Sequence, residues 1–170
     1  MEYAVFPTEL GWMAVLRCEL KVSRIILPGS SRSEDVARAH RALGRSFPEM
    51  REVSPKAFGS LPERLVSYMS GEQATFDDDV DTSTWTAFRT RIWEATRLIP
   101  YGETRSYGWV AATAGQPRAC RAAGQALHNN PLPIIVPCHR VIGADSSLTG
   151  FGSGIELKQR LLSLENQRHV

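Results

Sequence analysis

Apolar and polar positions alternate through the first part of the chain. "YAVFPTELG" and "WMAVLRCEL" are joined at Leu10-Gly11, and "VSRIILPG" follows, closed by Pro28-Gly29. This period-two pattern, punctuated by turn residues, predicts three short strands. The spacing then changes. Ser33 to Leu43, "SEDVARAHRAL", predicts a helix, and so does "LPERLVSYMSG", with Pro62 in its first turn and Gly71 at its end. A small antiparallel sheet with one or two helices is expected.

The second part reads mainly as helices. In "TAFRTRIWEATRLI", Phe88, Ile92, Trp93 and, further on, Ile99 fall on a helical period. "PYGETRSYG" breaks it. "SYGWVAATAG" predicts a short helix capped by Ser106, with Gly115 near its end. "QPRACRAAGQALHNNP" predicts another, with Pro117 in its first turn and Asn-Asn-Pro as its stop. Two short helices around a glycine-containing turn make a helix-turn-helix candidate. A last helix, "IELKQRLLSLEN", would put Leu157, Leu161 and Leu164 on one face. The expected class is therefore α+β: a sheet domain over 1–82, an acidic connector over 76–84, and a mostly helical, winged-helix-like domain over 83–170.

Composition narrows the function classes. The chain has 170 residues, 42% of them hydrophobic, and no run long enough to span a bilayer, so no membrane partner is expected. The first residues lack the basic start and apolar block of a secretory signal. Cys18, Cys120 and Cys138 are odd in number and far apart, which fits a reducing cytoplasm better than a disulfide framework. Charge is split. Met1 to Thr84 holds 10 Lys and Arg against 13 Asp and Glu, a balance of −3; Trp85 to Val170 holds 10 against 5, a balance of +5. A basic C-terminal half suits a polyanionic partner. The predicted second helix of the pair has Ala119, Ala122, Ala123, Gly124 and Ala126 along one side and Arg118 and Arg121 at its leading end. That bare side fits tight helix packing, or close approach to a nucleic-acid groove.

The candidate chemistry lies in "PIIVPCHRVIG", where Cys138, His139 and Arg140 interrupt a segment that otherwise reads as core. Four uses compete. A metal site lacks a second close thiol or a His at ligand spacing, and Cys18 and His40 are the only plausible ligands in the first half, so no metal or other cofactor is expected. A hydrolase thiol usually opens a helix, and Val141-Ile142-Gly143 is not a helix start. A buried structural thiol needs neither His nor Arg. The fourth use is a nucleophile activated by the neighbouring His and then consumed. A third group must orient the imidazole, and Glu165, on the leucine-rich side of the last helix, is the candidate. Neighbouring strand residues point to opposite faces, so Cys138 and His139 cooperate only if the chain turns there, as Pro137 allows, or if a water bridges them.

Together, "VPCHRVI" at Val136 to Ile142, "IPYGETRSYG", the helix-turn-helix and "LTGFGSGIELKQRLLSLE" resemble the O6-alkylguanine-DNA alkyltransferases, the methylated-DNA–protein-cysteine methyltransferases. The resemblance covers about Phe88 to Glu165; the N-terminal half is similar only in plan, implying a ribonuclease-H-like domain. It implies single-use repair: an alkyl group, chiefly methyl, passes irreversibly to Cys138 from guanine O6, with thymine O4 left open, in double-stranded DNA. His139 would accept the thiol proton through a water and Glu165 would hold His139. Tyr107 would crowd the phosphate and help protonate the departing guanine. Arg121 would fill the space of the flipped base, and Asn130 would act as a hinge. Further DNA contacts would come from Ser106, Arg118, Ala119, Ala122 and Gly124. Val141 would read the guanine amino group through its carbonyl, and Phe151, Gly152 and Ser153 would wall the alkyl pocket.

Phe151 stands where relatives often have Tyr, so a hydroxyl contact is missing; Ser153 stands where they usually have Gly, which predicts a narrower pocket that favours methyl over benzyl. The resemblance also implies a cytoplasmic, nucleoid-associated monomer, with cooperative assembly on DNA left open. The alternatives are a non-enzymatic alkyltransferase-like protein, against which Cys138 argues; a self-alkylating regulator, for which 170 residues leave no room; and a thiol hydrolase unconnected with DNA.

Overall fold

A computed structural model describes residues 1–28 and 50–166. The helix expected over 33–43, Gly29, His40 and His169 lie outside the described residues. Backbone contacts divide the chain into two units, Met1–Asp81 and Thr82–Val170.

In the first unit, β1 (Glu2–Thr8), β2 (Gly11–Cys18) and β3 (Lys21–Ile26) form an antiparallel meander, with Thr8 opposite Gly11 at the first turn. The sheet is not wholly antiparallel, as the sequence suggested. A two-residue strand, β4 (Arg51–Glu52), pairs parallel to β1, giving the order β3-β2-β1-β4. As an inner strand, β2 buries four successive residues, Met13 to Leu16, so its middle does not alternate. Tyr3, Ala14, Leu16 and Ile26 form one core cluster. Helix α1 (Leu61–Met69) packs on β1, burying Leu61, Leu65, Tyr68 and Met69, with proline in its first turn as expected.

The acidic segment that follows does not hang as a simple linker. Val22 N–H donates to the Asp79 carbonyl at 2.8 Å, and Asp81 N–H donates to Val22 at 2.9 Å, so the segment lies along the outer margin of β3. Arg64 from α1 fixes it again, with a forked contact to Asp78 at 2.6 and 3.1 Å.

The second unit begins with α2 (Ala87–Arg97), capped by Thr86 and burying Ile92, Trp93, Ala95 and Thr96. Trp93 Nε1–H donates to the Ala126 carbonyl at 3.0 Å, tying α2 to the helix that carries Ala126. β5 (Arg105–Ser106) leads into α3 (Tyr107–Thr113), where Ser106 Oγ accepts from Trp109 N–H at 3.1 Å as the N-cap. After a turn with Gly115 at φ 72°, α4 (Cys120–His128) completes the helix-turn-helix. This second helix starts three residues later than the sequence suggested: Pro117 and Arg118 lie in the turn and Ala119 is the N-cap. A 3₁₀ turn (Cys138–Arg140) then feeds β6 (Val141–Ile142), which pairs parallel to β5, and α5 (Ile155–Asn166) closes the unit.

Candidate active site

The 3₁₀ turn solves the facing problem of a Cys-His pair. A strand would send the two side chains apart; a turn with three residues per rotation lets both stay inside. Pro137, at φ −77° and ψ 63°, starts it. Cys138 is 7% exposed and His139 is fully buried. The approach to the turn is tight: Ile134, a β-branched residue, holds a left-handed φ of 77°, a conformation that needs firm support from its surroundings.

Two groups act on the sulfur. Asn130 Nδ2 donates to Cys138 Sγ at 3.2 Å and to the Val136 carbonyl at 2.9 Å, while its Oδ1 accepts from Leu132 N–H at 3.0 Å. Lys158 also acts on it through its charge. Burial pushes the Cys138 thiol up; the Asn130 hydrogen bond and the Lys158 charge pull the other way without overcoming it. The resting sulfur is therefore a thiol.

On the other side, His139 Nε2 lies 2.9 Å from Glu165 Oε1. Burial works against a charge on Glu165, but hydrogen bonds from His139 and Arg140 more than offset it and hold the carboxyl at about 2. An ionised carboxylate only accepts, so Nε2 carries the ring proton and Nδ1 is the basic nitrogen. Burial keeps the imidazole below its ordinary pKa even though Glu165 opposes this, so it is neutral at pH 7.

Sequence reasoning did not assign Arg140 or Lys158. Arg140 Nε reaches both Glu165 oxygens, at 3.1 and 3.0 Å, and an Nη reaches Oε1 at 2.8 Å. Its other Nη donates to the Ile99 carbonyl at 2.8 Å, and Gly102 N–H donates to Glu165 Oε2 at 3.1 Å. Lys158 is fully buried and donates to the carbonyls of Val141, at 2.6 Å, and Thr149, at 2.9 Å. The Val141 carbonyl expected to read a base thus already has one donor. The signal was present in the last helix, whose inner stripe is Leu157, Lys158, Leu161 and Glu165. Leu164 is only half-buried. A lysine and a glutamate on that stripe each need partners.

The remaining expected residues lie on α3, on α4 and its preceding turn, and in the loop before α5. Tyr107 donates its hydroxyl to the Thr149 carbonyl at 2.8 Å, and burial, partly opposed by that bond, raises its pKa, so it keeps its proton. Its ring covers Gly124 of α4, where an added Cβ would sit 3.8 Å from it. The bare side of α4 serves two ends: Ala123 and Ala126 are buried, while Arg121 and Ala122 are exposed, as is Arg118 in the preceding turn. Phe151 is half-buried, and Gly152 and Ser153 are exposed in the loop before α5. Gly152 packs against the end of α4, where a Cβ would fall 3.1 Å from the His128 carbonyl. Among the described residues, no cluster of three or more His, Cys, Asp or Glu could hold a metal, and no helix is long and apolar enough to cross a membrane.

Residues 87–167 match a family model described as the DNA-binding domain of 6-O-methylguanine DNA methyltransferase. A methylated-DNA–protein-cysteine methyltransferase of Methanosarcina acetivorans is 47% identical over 97% of this chain and 98% of its own length. One of Mycolicibacterium paratuberculosis is 50% identical over 68% of this chain and 69% of its own. The structure of Mycobacterium tuberculosis OGT in complex with DNA superposes with a TM-score of 0.79 at 35% identity, covering 99% of this chain and 94% of that one. The O6-methylguanine-DNA methyltransferase of Pyrococcus kodakaraensis superposes with a TM-score of 0.76 at 26% identity, covering 96% and 98%.

Proposed function

Since the chain belongs to the methylated-DNA–protein-cysteine methyltransferase family, we propose that Cys138 is its alkyl acceptor and guanine O6 in double-stranded DNA its target. The observation that carries this reading is the Asn130 donor at Cys138 Sγ, next in sequence to a His139 that is joined to Glu165 and Arg140.

A thiol at rest needs a base at the moment of attack. His139, neutral and with Nε2 committed to Glu165, would receive the proton at Nδ1 through a water. The sulfur then forms the S–C bond as the C–O6 bond breaks, and the electron pair stays on guanine. Tyr107 would exchange its bond to Thr149 for one to the departing base and supply a proton. The product is a thioether, with no group beside it to cleave it, so each molecule acts once.

The O6 substituent is out of reach inside a duplex, so the base must be extruded. The exposed edge of α4, with Ala122 small enough to admit a sugar-phosphate backbone, suits the shallow minor groove, and Arg121 would take the vacated place in the stack. Contacts of this kind ignore sequence, as repair requires.

Intact mass after mixing with a duplex containing O6-methylguanine tests this. One methyl, about +14 Da, is expected on the wild type and none on Cys138→Ala. Arg121→Ala is expected to slow repair of the duplex while leaving reaction with the free base largely intact. Multiple turnover, or labelling of another residue, overturns the assignment of Cys138.

A further inference from the structure

We propose that Arg140 is a positioning residue for the transfer: by sharing the Glu165 carboxylate with His139, it keeps the imidazole neutral and so able to take the thiol proton at neutral pH. This rests on the reading of Cys138 as acceptor and adds a part to it.

The argument starts from what a carboxylate does to a buried imidazole. Alone, it favours the imidazolium and holds it as an ion pair. An imidazolium has no lone pair left at Nδ1 and cannot act as a base. Here the carboxylate is already matched. Arg140 gives it three contacts of 2.8 to 3.1 Å, and the guanidinium keeps its charge at any working pH. Its anchors are independent of His139: the Ile99 carbonyl at 2.8 Å and the Tyr101 ring, 5.6 Å from its carbon.

With His139 neutral, the Arg140–Glu165–His139 group carries no net charge. A proton on the imidazole would add one uncompensated positive charge to a site that also feels Lys158. That charge becomes favourable only when the sulfur turns negative. The group therefore resists protonation from solvent yet accepts the proton that leaves Cys138. The charged groups acting on His139 are Arg140 from its own turn and Glu165 and Lys158 from α5; Cys138 is its neighbour in the turn and acts on Tyr107 from α3.

Single-turnover methyl transfer from an O6-methylguanine duplex, followed from pH 5.5 to 9, separates this role from simple bracing. In Arg140→Met the acid limb is expected to move to higher pH, with transfer at pH 6.5 lowered on the order of tenfold and recovery as pH rises. Arg140→Lys, which keeps a charge, is expected to leave the limb in place at a lower overall rate. A loss by the same factor at every pH in Arg140→Met overturns the proposal. If that variant does not fold, ¹⁵N NMR of His139 in the wild type decides: a neutral ring protonated at Nε2 at pH 7 is expected, and an imidazolium overturns it. A wild type that takes up no methyl at all points instead to failure of the Cys138 assignment.

Discussion

Asn130 Nδ2 lies 3.2 Å from Cys138 Sγ, so the sulfur proposed as the alkyl acceptor already faces a donor. That bond favours thiolate, against the burial that favours thiol. Asn130→Ala should slow methyl transfer on the order of tenfold or more, since the donor to sulfur is lost and the Val136 carbonyl and Leu132 N–H lose their partner too. Asn130→Asp, nearly the same shape, should be slower still, because a carboxylate repels the forming thiolate. Single-turnover rates and the pH dependence of iodoacetamide labelling check the order; an aspartate variant faster than the alanine one contradicts it.

Glu165 gives the fold an acid-side dependence. In the folded protein it stays ionised down to about 2, while its ordinary value is 4.5. The folded state therefore binds fewer protons in between, and stability is fully present above pH 4.5 and lost as pH falls towards 2. The shift is worth on the order of 3 kcal/mol. Denaturant melts of wild type and Glu165→Gln between pH 2 and 6 should show the steeper acid loss only in the wild type.

Lys158 acts at the alkaline end. Burial, partly offset by the Cys138 charge, lowers it from 10.5 to about 8. The unfolded chain then binds the extra proton between those values, so stability should rise with pH across that interval. Lys158→Met should flatten this rise in melts from pH 7.5 to 10.5. An unchanged slope would mean that Lys158 is not titrating there.

Ser153 sets a test of size selection. It stands in the exposed loop between Gly150, at φ 68°, and Gly154, at φ 94°, two positions whose backbone fixes the loop's path. The wild type should react faster with O6-methylguanine than with O6-benzylguanine, and Ser153→Gly should speed the benzyl reaction with little change in the methyl one. Equal wild-type rates remove the idea that this side chain narrows the pocket.

Much of the architecture was legible because it rests on local patterns. Short apolar runs punctuated by turn residues marked β1 to β3, Pro62 and Gly71 framed α1, Ser106 capped α3, and the apolar period of the last helix gave its full span. β4 was not legible, since two residues carry no period and its pairing comes from β1. The start of α4 was misread because proline suits a first helical turn as well as the turn before it. The site divides in the same way. Pro137 announced the bend that brings Cys138 and His139 inside, and an acid among leucines pointed to Glu165. Lys158 was missed because its partners, Val141 and Thr149, are backbone carbonyls, which no side-chain motif encodes, and Arg140 because its carboxylate, Glu165, lies 25 residues on in another element.

The acidic segment along β3 has a consequence for the protein's behaviour in a crowded cell. An outer strand with vacant amides invites a neighbour's backbone to add to it, the first step of ordered aggregation. Here Asp79 and Asp81 occupy the amide and carbonyl of Val22, and the exposed Asp77 and Asp79 set negative charge along the approach. An incoming chain would have to displace its own kind of hydrogen bond and meet carboxylates while doing so, which makes this margin a poor seed for fibres.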